Sequence, residues 1–255
     1  MTHLLRSYDR GVLRVTINRP AKRNALARET LRELRAVFAA HAAHAELRLA
    51  LIAGAGDLAF CAGADLLELQ AARAPEEAAA IADEGAAALD AVRSFPVPTV
   101  AALNGFALGG GAELALACDL RVAAPHARIG FTHAELALTS AWGGGPDLVH
   151  AVGTASALEL LASARVLPAE AARAVGLVQH VAPREAPFVA FVDRLAAMIA
   201  GRPPHLLRAF KALVLAARRG ADPDALRAVE RDGFERAWGA DAHRAAIEAW
   251  AAARS

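Results

Sequence analysis

The chain reads as an α/β protein with a helical C-terminal region. Short apolar or β-branched segments alternate with segments of helical spacing as far as about residue 185, which implies an α/β core with parallel pairing. From about Phe188 the pattern is almost wholly helical, broken at Pro203-Pro204, Gly220 and Gly239. With 255 residues, 56% of them hydrophobic and 22% charged, there is enough apolar material for a sizeable core.

The elements follow in order. Gly11 to Asn18 alternates and is β-branched, so it predicts a strand, and Pro20 to Asn24 is a polar loop. From Ala27 to about His44, Leu31, Leu34, Val37 and Phe38 share one helical face. Arg48 to Gly54 is a short apolar strand. Phe60 to Leu66 is a small-residue turn that leads into a short helix. Glu76 to Ser94 is a helix with an acidic start, and Val97 to Leu103 is a buried strand. After a glycine turn, a helix is expected from about Gly111 to Ala123. Arg128 to Thr132 is a strand. Trp142 to Gly145 is a second glycine turn, followed by a helix through Ala164. Pro168 to Gly176 is a short helix with Pro at its start and Gly past its end, and Leu177 to Val181 is a strand. No internal repeat or low-complexity linker interrupts this order.

Composition removes several classes. The formal net charge is +1, which gives no electrostatic case for nucleic acid. Of the 28 basic residues only Lys22 and Lys211 are lysine, a bias that goes with the abundant alanine. Cys61 and Cys118 are far apart and form no CxxC, so neither a disulfide framework nor a zinc site is expected, and a reducing cytoplasm fits. His41 and His44 share a helix but have no HExxH or Cys/His cluster beside them, so no metal is expected. The N-terminus lacks a long apolar stretch of the signal-peptide kind. The longest uncharged run, Phe95 to Ala112, carries two prolines and four glycines and would make a poor membrane helix.

The chemistry concentrates in Asn104-Gly105-Phe106-Ala107-Leu108-Gly109-Gly110-Gly111-Ala112-Glu113. An apolar strand runs through three glycines into a helix, whose first N–H groups have no intrahelical partner. The positive end of the helix dipole points the same way, so backbone alone can hold a developing negative charge. Glu113, in the first turn, puts an acid/base group beside that charge. The segment is not G-x-x-x-x-G-K-S/T, since Glu113 stands where phosphate binding wants lysine. Nor does it follow G-x-G-x-x-G with its later acidic residue. No G-x-S-x-G is present.

Four further segments carry a resemblance: Pro20 to Leu26, Phe60-Cys61-Ala62-Gly63-Ala64-Asp65-Leu66, Trp142-Gly143-Gly144 and Ala174 to Val178. With the glycine turn they resemble the crotonase (enoyl-CoA hydratase/isomerase) superfamily over nearly the whole chain. The resemblance implies a crotonase-like spiral of ββα units in residues 1–195. Residues 196–255 would form a C-terminal helical region that builds a homotrimer or a dimer of trimers and part of the acyl/CoA pocket. The substrate would be an acyl-CoA thioester, with coenzyme A entering as part of it and no prosthetic group. The thioester oxygen would be held by the Ala64 and Gly110 N–H groups, each worth on the order of 3–4 kcal/mol by analogy with other oxyanion holes. Lys22, Arg23, Ala25, Ala62, Asp65, Leu66, Gly109 and Trp142 would line the substrate and CoA path. Trp250 and Arg254 would lie near the adenine.

Glu113 aligns with the first of two glutamates that hydratases of the family use. The second usually follows about twenty residues later, and here that position is His133. Three readings stand. His133 replaces the glutamate as acid/base, its chemistry suiting proton transfer near neutral pH. A local shift instead brings in Glu135, which shares a face with His133 if the segment is extended. Or neither acts, and Glu113 works alone or in different enolate chemistry. The default activity is hydration of a trans-2-enoyl-CoA. Isomerisation, decarboxylation and thioester hydrolysis use the same oxyanion hole, and a non-catalytic acyl-CoA-binding homologue is the alternative from another class.

Overall fold

The structure, a computed structural model, describes residues 2–71 and 74–253. The chain opens with a hairpin, β1 (Leu4–Asp9) and β2 (Val12–Ile17). Its two turn residues, Arg10 and Gly11, have φ of 48° and 81°, as a tight turn matched to strand twist requires. β1 was not anticipated because it is an edge strand, exposed at most positions, and lacks a hydrophobic alternation.

A repeating path follows. β3 (Leu49–Gly54) joins one sheet and β4 (Ala59–Cys61) a second, before helices α2 (Leu66–Ala71) and α3 (Pro75–Arg93). β5 (Thr99–Leu103) and β6 (Phe106–Leu108) do the same before α4 (Gly110–Ala117). β7 (Leu120–Ala123) and β8 (Arg128–Gly130) do so before a 3-10 turn, Thr132–Leu136, and α5 (Gly144–Ser163). Each pass places one strand in each sheet and helical structure after them, so the expected spiral of ββα units is the observed architecture. β9 (Leu167–Pro168), α6 (Ala169–Ala174) and β10 (His180–Val181) complete the sheets. The first sheet runs β1-β2-β3-β5-β7-β10, parallel from β2 onward; the second runs β4-β6-β8-β9.

Burial explains the strand compositions. β3 and β5 are apolar at nearly every position because both faces are covered. Ala50, Ile52, Ala101 and Leu103 face the main core. The alternate residues Leu49, Leu51, Val100 and Ala102 meet Val192, Ala196 and Ala200 of α7 (Phe188–Ala200) on the opposite face. Opposite α3 lies α1 (Arg28–His41), and the Phe38 and Phe95 rings meet edge-on at 4.7 Å. Glu84 on α3 accepts from Arg28 Nη2 at 2.7 Å and Arg32 Nη2 at 3.0 Å, and these cations pull its carboxyl down to about 2.

The structure corrects several boundaries. The helix after the glycine turn stops at Ala117, and Leu120–Ala123 is strand β7 rather than its continuation. Alanine-rich spacing does not separate a helix from a buried strand; pairing of β7 with β5 and β10 decides it. Arg121, nearly buried in β7, donates from Nε to the Leu177 carbonyl at 2.6 Å and from Nη1 to the Cys118 carbonyl at 3.0 Å. β6 was too short to register. The last predicted strand shrinks to His180–Val181. α5 is interrupted at Gly153, where φ is 77° and ψ 166°.

Three further helices follow α7: α8 (Pro204–Arg218), α9 (Pro223–Trp238) and α10 (Asp241–Ala252). α8 carries Lys211 inward. Its Nζ lies 2.5 Å from Asp119 Oδ1, and burial pushes the ammonium group below its ordinary value. Among the described residues no helix is long and apolar enough to cross a membrane.

Candidate active site

Gly109 starts the site. It takes φ 52° and ψ −122° as the residue before α4, a conformation that side chains disfavour. Gly111 lets the helix touch the second sheet: a Cβ there would stand 2.2 Å from the Cys61 carbonyl oxygen. Gly110 similarly admits the Trp142 ring, 2.3 Å from where its own Cβ would be. α4 is buried along its whole length. Its first residue, Gly110, therefore presents a bare N–H, and among the described residues no acceptor serves it.

The facing segment is Gly63-Ala64-Asp65. Leu26 and Ala64 form a parallel bridge, in which Leu26 N–H donates to Gly63 O and Asp65 N–H to Leu26 O. In such a bridge the Ala64 N–H points away from the partner strand. It too has no acceptor among the described residues. Gly63, with φ 111°, brings the segments together: a Cβ there would lie 3.6 Å from the Gly110 nitrogen. Ala64 and Gly110 thus sit on adjoining backbone with free donors.

Glu113 is 2% exposed. Its Oε1 accepts from the backbone N–H of Trp142 at 3.0 Å and of Gly144 at 3.1 Å. Its Oε2 lies 3.1 Å from His133 Nε2. Gly144 must be glycine here, since a Cβ would fall 2.2 Å from Glu113 Cγ. With Glu113 ionised, Oε2 accepts and His133 Nε2 carries the hydrogen. His133 Nδ1 is buried and is the one such side-chain polar atom without a partner among the described residues. The hydrogen on Nε2 is assigned from this hydrogen-bond network.

Other sequence candidates fall in different places. Glu135 is exposed on the 3-10 turn, where residues two apart do not share a face, so the extended segment that would align it with His133 is absent. Trp142 contributes its peptide; its ring is 6% exposed, lodged against Gly110 and Gly85 instead of facing open space. The Asp65 carboxylate accepts from Arg19 Nη2 at 2.8 Å and from the Leu67 N–H at 3.2 Å. The Arg19 hydrogen bond holds it below the usual carboxylate range. Asp65 is thus committed to fixing the loop, as is Ala25, whose carbonyl also accepts from Arg19. The Ala62 N–H donates to Arg23 O. Lys22, Arg23 and Leu66 are exposed, and Trp250 on α10 is 60% exposed. Arg254 lies outside the described residues. The Cys61 thiol, pushed up to about 12 by burial, is no nucleophile. Among the described residues no cluster of three or more His, Cys, Asp or Glu is placed to hold a metal.

Sequence reading missed Arg93, Asp147 and Arg19. Arg93 Nε donates to Asp147 Oδ2 at 2.8 Å and its Nη2 to the Trp142 carbonyl at 3.0 Å. Single arginines in an arginine-rich chain carry no spacing signal, so only the fold identifies these.

Residues 7–254 match the profile described as enoyl-CoA hydratase/isomerase. The chain is 41% identical over 177 residues to the mitochondrial methylglutaconyl-CoA hydratase of Rattus norvegicus, which covers 69% of this chain and 56% of that protein. It thus spans little more than half the length of that relative. It is 37% identical over 220 residues to a crotonyl-CoA hydratase of Syntrophomonas wolfei, covering 86% and 83% of the two chains. Among solved structures, an enoyl-CoA hydratase from Bacillus anthracis superposes with a TM-score of 0.91 at 30% identity, covering 98% of this chain and 96% of that one.

Proposed function

This chain belongs to the enoyl-CoA hydratase/isomerase family, and we propose that it adds water to a trans-2-enoyl-CoA to give a 3-hydroxyacyl-CoA. One observation carries this reading. A buried carboxylate, gripped by two backbone N–H groups and one histidine, lies one turn into a helix whose first N–H is free.

In this reading the thioester oxygen sits between the Ala64 and Gly110 N–H groups. Glu113 Oε2 takes a proton from water as the water oxygen bonds to Cβ. The Cα–Cβ π electrons move toward the carbonyl, and the negative charge forms on the thioester oxygen, where both donors meet it. As the enolate collapses, the proton on Glu113 passes to Cα. One O–H bond breaks, one C–O and one C–H bond form, and Glu113 returns as a carboxylate. The substrate supplies coenzyme A, and no prosthetic group enters. Lys22 and Arg23 would meet the CoA phosphates and Trp250 the adenine. The acyl chain would lie near Leu66 and the C-terminal helices.

In this reading His133 holds Glu113 by donating from Nε2. Glutamine can donate an N–H from the same distance along the side chain but does not titrate. We expect His133→Ala to lower kcat on crotonyl-CoA on the order of 100-fold, and His133→Gln by less than about 10-fold. Loss of the conjugated enoyl thioester absorbance reports both. Equal damage by the two substitutions would instead make His133 the proton donor. No loss of absorbance with the wild type would reject the hydratase reading.

Isomerisation is the second reading, favoured by the exposure of Glu135, which leaves Glu113 as the carboxylate able to carry a proton between Cα and Cγ. We also assign the helical C-terminal region to a homotrimer or a dimer of trimers. Phe210, Phe234, Trp238 and Ile247 on α8 to α10 are each more than half exposed, an apolar surface suited to association. Light scattering should return three or six times 26.5 kDa; a single 26.5 kDa species would contradict the assignment.

A further inference from the structure

Behind Glu113 lies a chain of ionic contacts that no part of the proposed reaction uses. Trp142 N–H and Gly144 N–H point at Glu113 Oε1, while the carbonyl between them, that of Trp142, points the other way to Arg93 Nη2. Gly143 makes this alternation with φ 87°, and a Cβ on it would stand 2.8 Å from Arg93 Nη2, so the guanidinium is seated against the loop. Arg93 is itself fixed. Its Nε bonds Asp147 Oδ2 at 2.8 Å, and its Nη1 bonds Asp90. Asp147 Oδ1 accepts from Arg218 Nη2 of α8 at 2.6 Å, and the same Nη2 donates to the Leu116 carbonyl near the end of α4 at 2.9 Å. Arg218 Nη1 lies 3.6 Å from Asp119. The side chains of Arg93, Asp147 and Arg218 are 15%, 6% and 18% exposed, so solvent competes little for these bonds.

We propose that Arg93 is a positioning residue for Glu113: it orients the Trp142–Gly144 peptides whose N–H groups hold the carboxylate, and Asp147 and Arg218 brace it. This rests on the reading of Glu113 as the proton carrier. Arg93 acts through the loop and touches no reacting atom. The arrangement fastens α8 to the site from behind, because Arg218 spans the end of α4, which carries Glu113, and the first turn of α5, which starts at Gly144. Catalytic geometry is thereby tied to the docking of a C-terminal helix. A cavity of about 340 Å³ opens beside Arg93, lined also by Gly143, Asp147, His150, Arg218 and Arg219. Small cations can therefore reach this spot from solvent.

The test uses the full chain with Arg93→Ala and Arg93→Lys. Arg93→Ala should lower kcat on crotonyl-CoA on the order of 100-fold with KM within about threefold, because a small displacement of the base affects the chemical step more than binding. Arg93→Lys keeps the charge but cannot serve all three acceptors, and should lie between Arg93→Ala and wild type. Guanidinium at millimolar concentration should restore part of the lost rate in Arg93→Ala, while methylammonium should not. Hydrogen exchange at the Trp142 and Gly144 amides should speed up in both variants, with β5 amides unchanged. If Arg93→Ala does not fold, Arg93→Lys provides the same comparison. Wild-type kcat in the variants, or unchanged exchange at Trp142 and Gly144, would overturn the proposal. If the wild type leaves crotonyl-CoA untouched, the hydratase reading falls, while the exchange comparison still decides whether Arg93 orients this loop.

Discussion

Glu113→Gln should lower kcat for crotonyl-CoA hydration at least about 10³-fold while leaving CoA-thioester affinity within about threefold of wild type. The carboxylate is 2% exposed, and three protein donors surround it. Glutamine is nearly isosteric and its amide oxygen can still accept from the Trp142 and Gly144 N–H groups, so the cradle survives. Its NH₂ would then face His133 Nε2, which must present a lone pair in place of a hydrogen. Histidine can do this by moving the hydrogen to Nδ1, where no acceptor waits among the described residues. In the proposed reaction the substitution therefore removes the proton carrier and inverts one hydrogen bond, yet does not touch the Ala64 and Gly110 N–H groups assigned to the thioester oxygen. Calorimetric titration with a saturated acyl-CoA, which cannot react, separates binding from turnover. Joint loss of both would mean that Glu113 supports the fold rather than the chemistry.

Gly110→Ala is expected to cost about 10²- to 10³-fold in kcat, the range for a lost oxyanion donor. The new methyl would fall 2.3 Å from Trp142 Cζ3. The indole has little room to retreat, for its other side fills the space over Gly85, where a Cβ would be 2.1 Å from Trp142 Nε1. The strain must move the start of α4, and with it the Gly110 N–H, or shift Trp142, whose own N–H holds Glu113. Either movement disturbs the site. Free CoA has no thioester carbonyl, so its affinity should stay near that of wild type while kcat falls. Full activity in this variant would show that the oxyanion is held elsewhere.

Legibility differed by element. The long parallel strands and the C-terminal helices were readable because burial on both faces leaves continuous apolar runs, and because Pro203-Pro204, Gly220 and Gly239 punctuate the helices. β1 and β6 were not, one being a mostly exposed edge strand and the other only three residues long. The false extension of α4 through Ala123 has a physical cause. Leu120–Ala123 becomes a strand through pairing with segments about twenty and sixty residues away, which local spacing cannot report. The glycine turn was legible because three consecutive glycines before a glutamate have few other uses. Its partners were less so. The placement of His133 against Glu113 needed the 3-10 turn at Thr132–Leu136; Glu135 was drawn in by a local shift of the segment, and its sharing a face with His133 required an extended backbone. Arg93 and Asp147, which bond each other beside the loop holding Glu113, are single charged residues with no spacing signal, and they acquire meaning only when α3, α5 and α8 pack together.

The most direct test of the central claim is the mass of the product formed from crotonyl-CoA in H₂¹⁸O. Hydration at Cβ predicts a 3-hydroxybutyryl-CoA that carries the heavy oxygen on Cβ, formed by the wild type and not by Glu113→Gln. Crotonyl-CoA recovered unchanged would contradict the account; a double-bond isomer, or free CoA with labelled crotonate, would contradict it and assign the Glu113 site to isomerase or hydrolase chemistry.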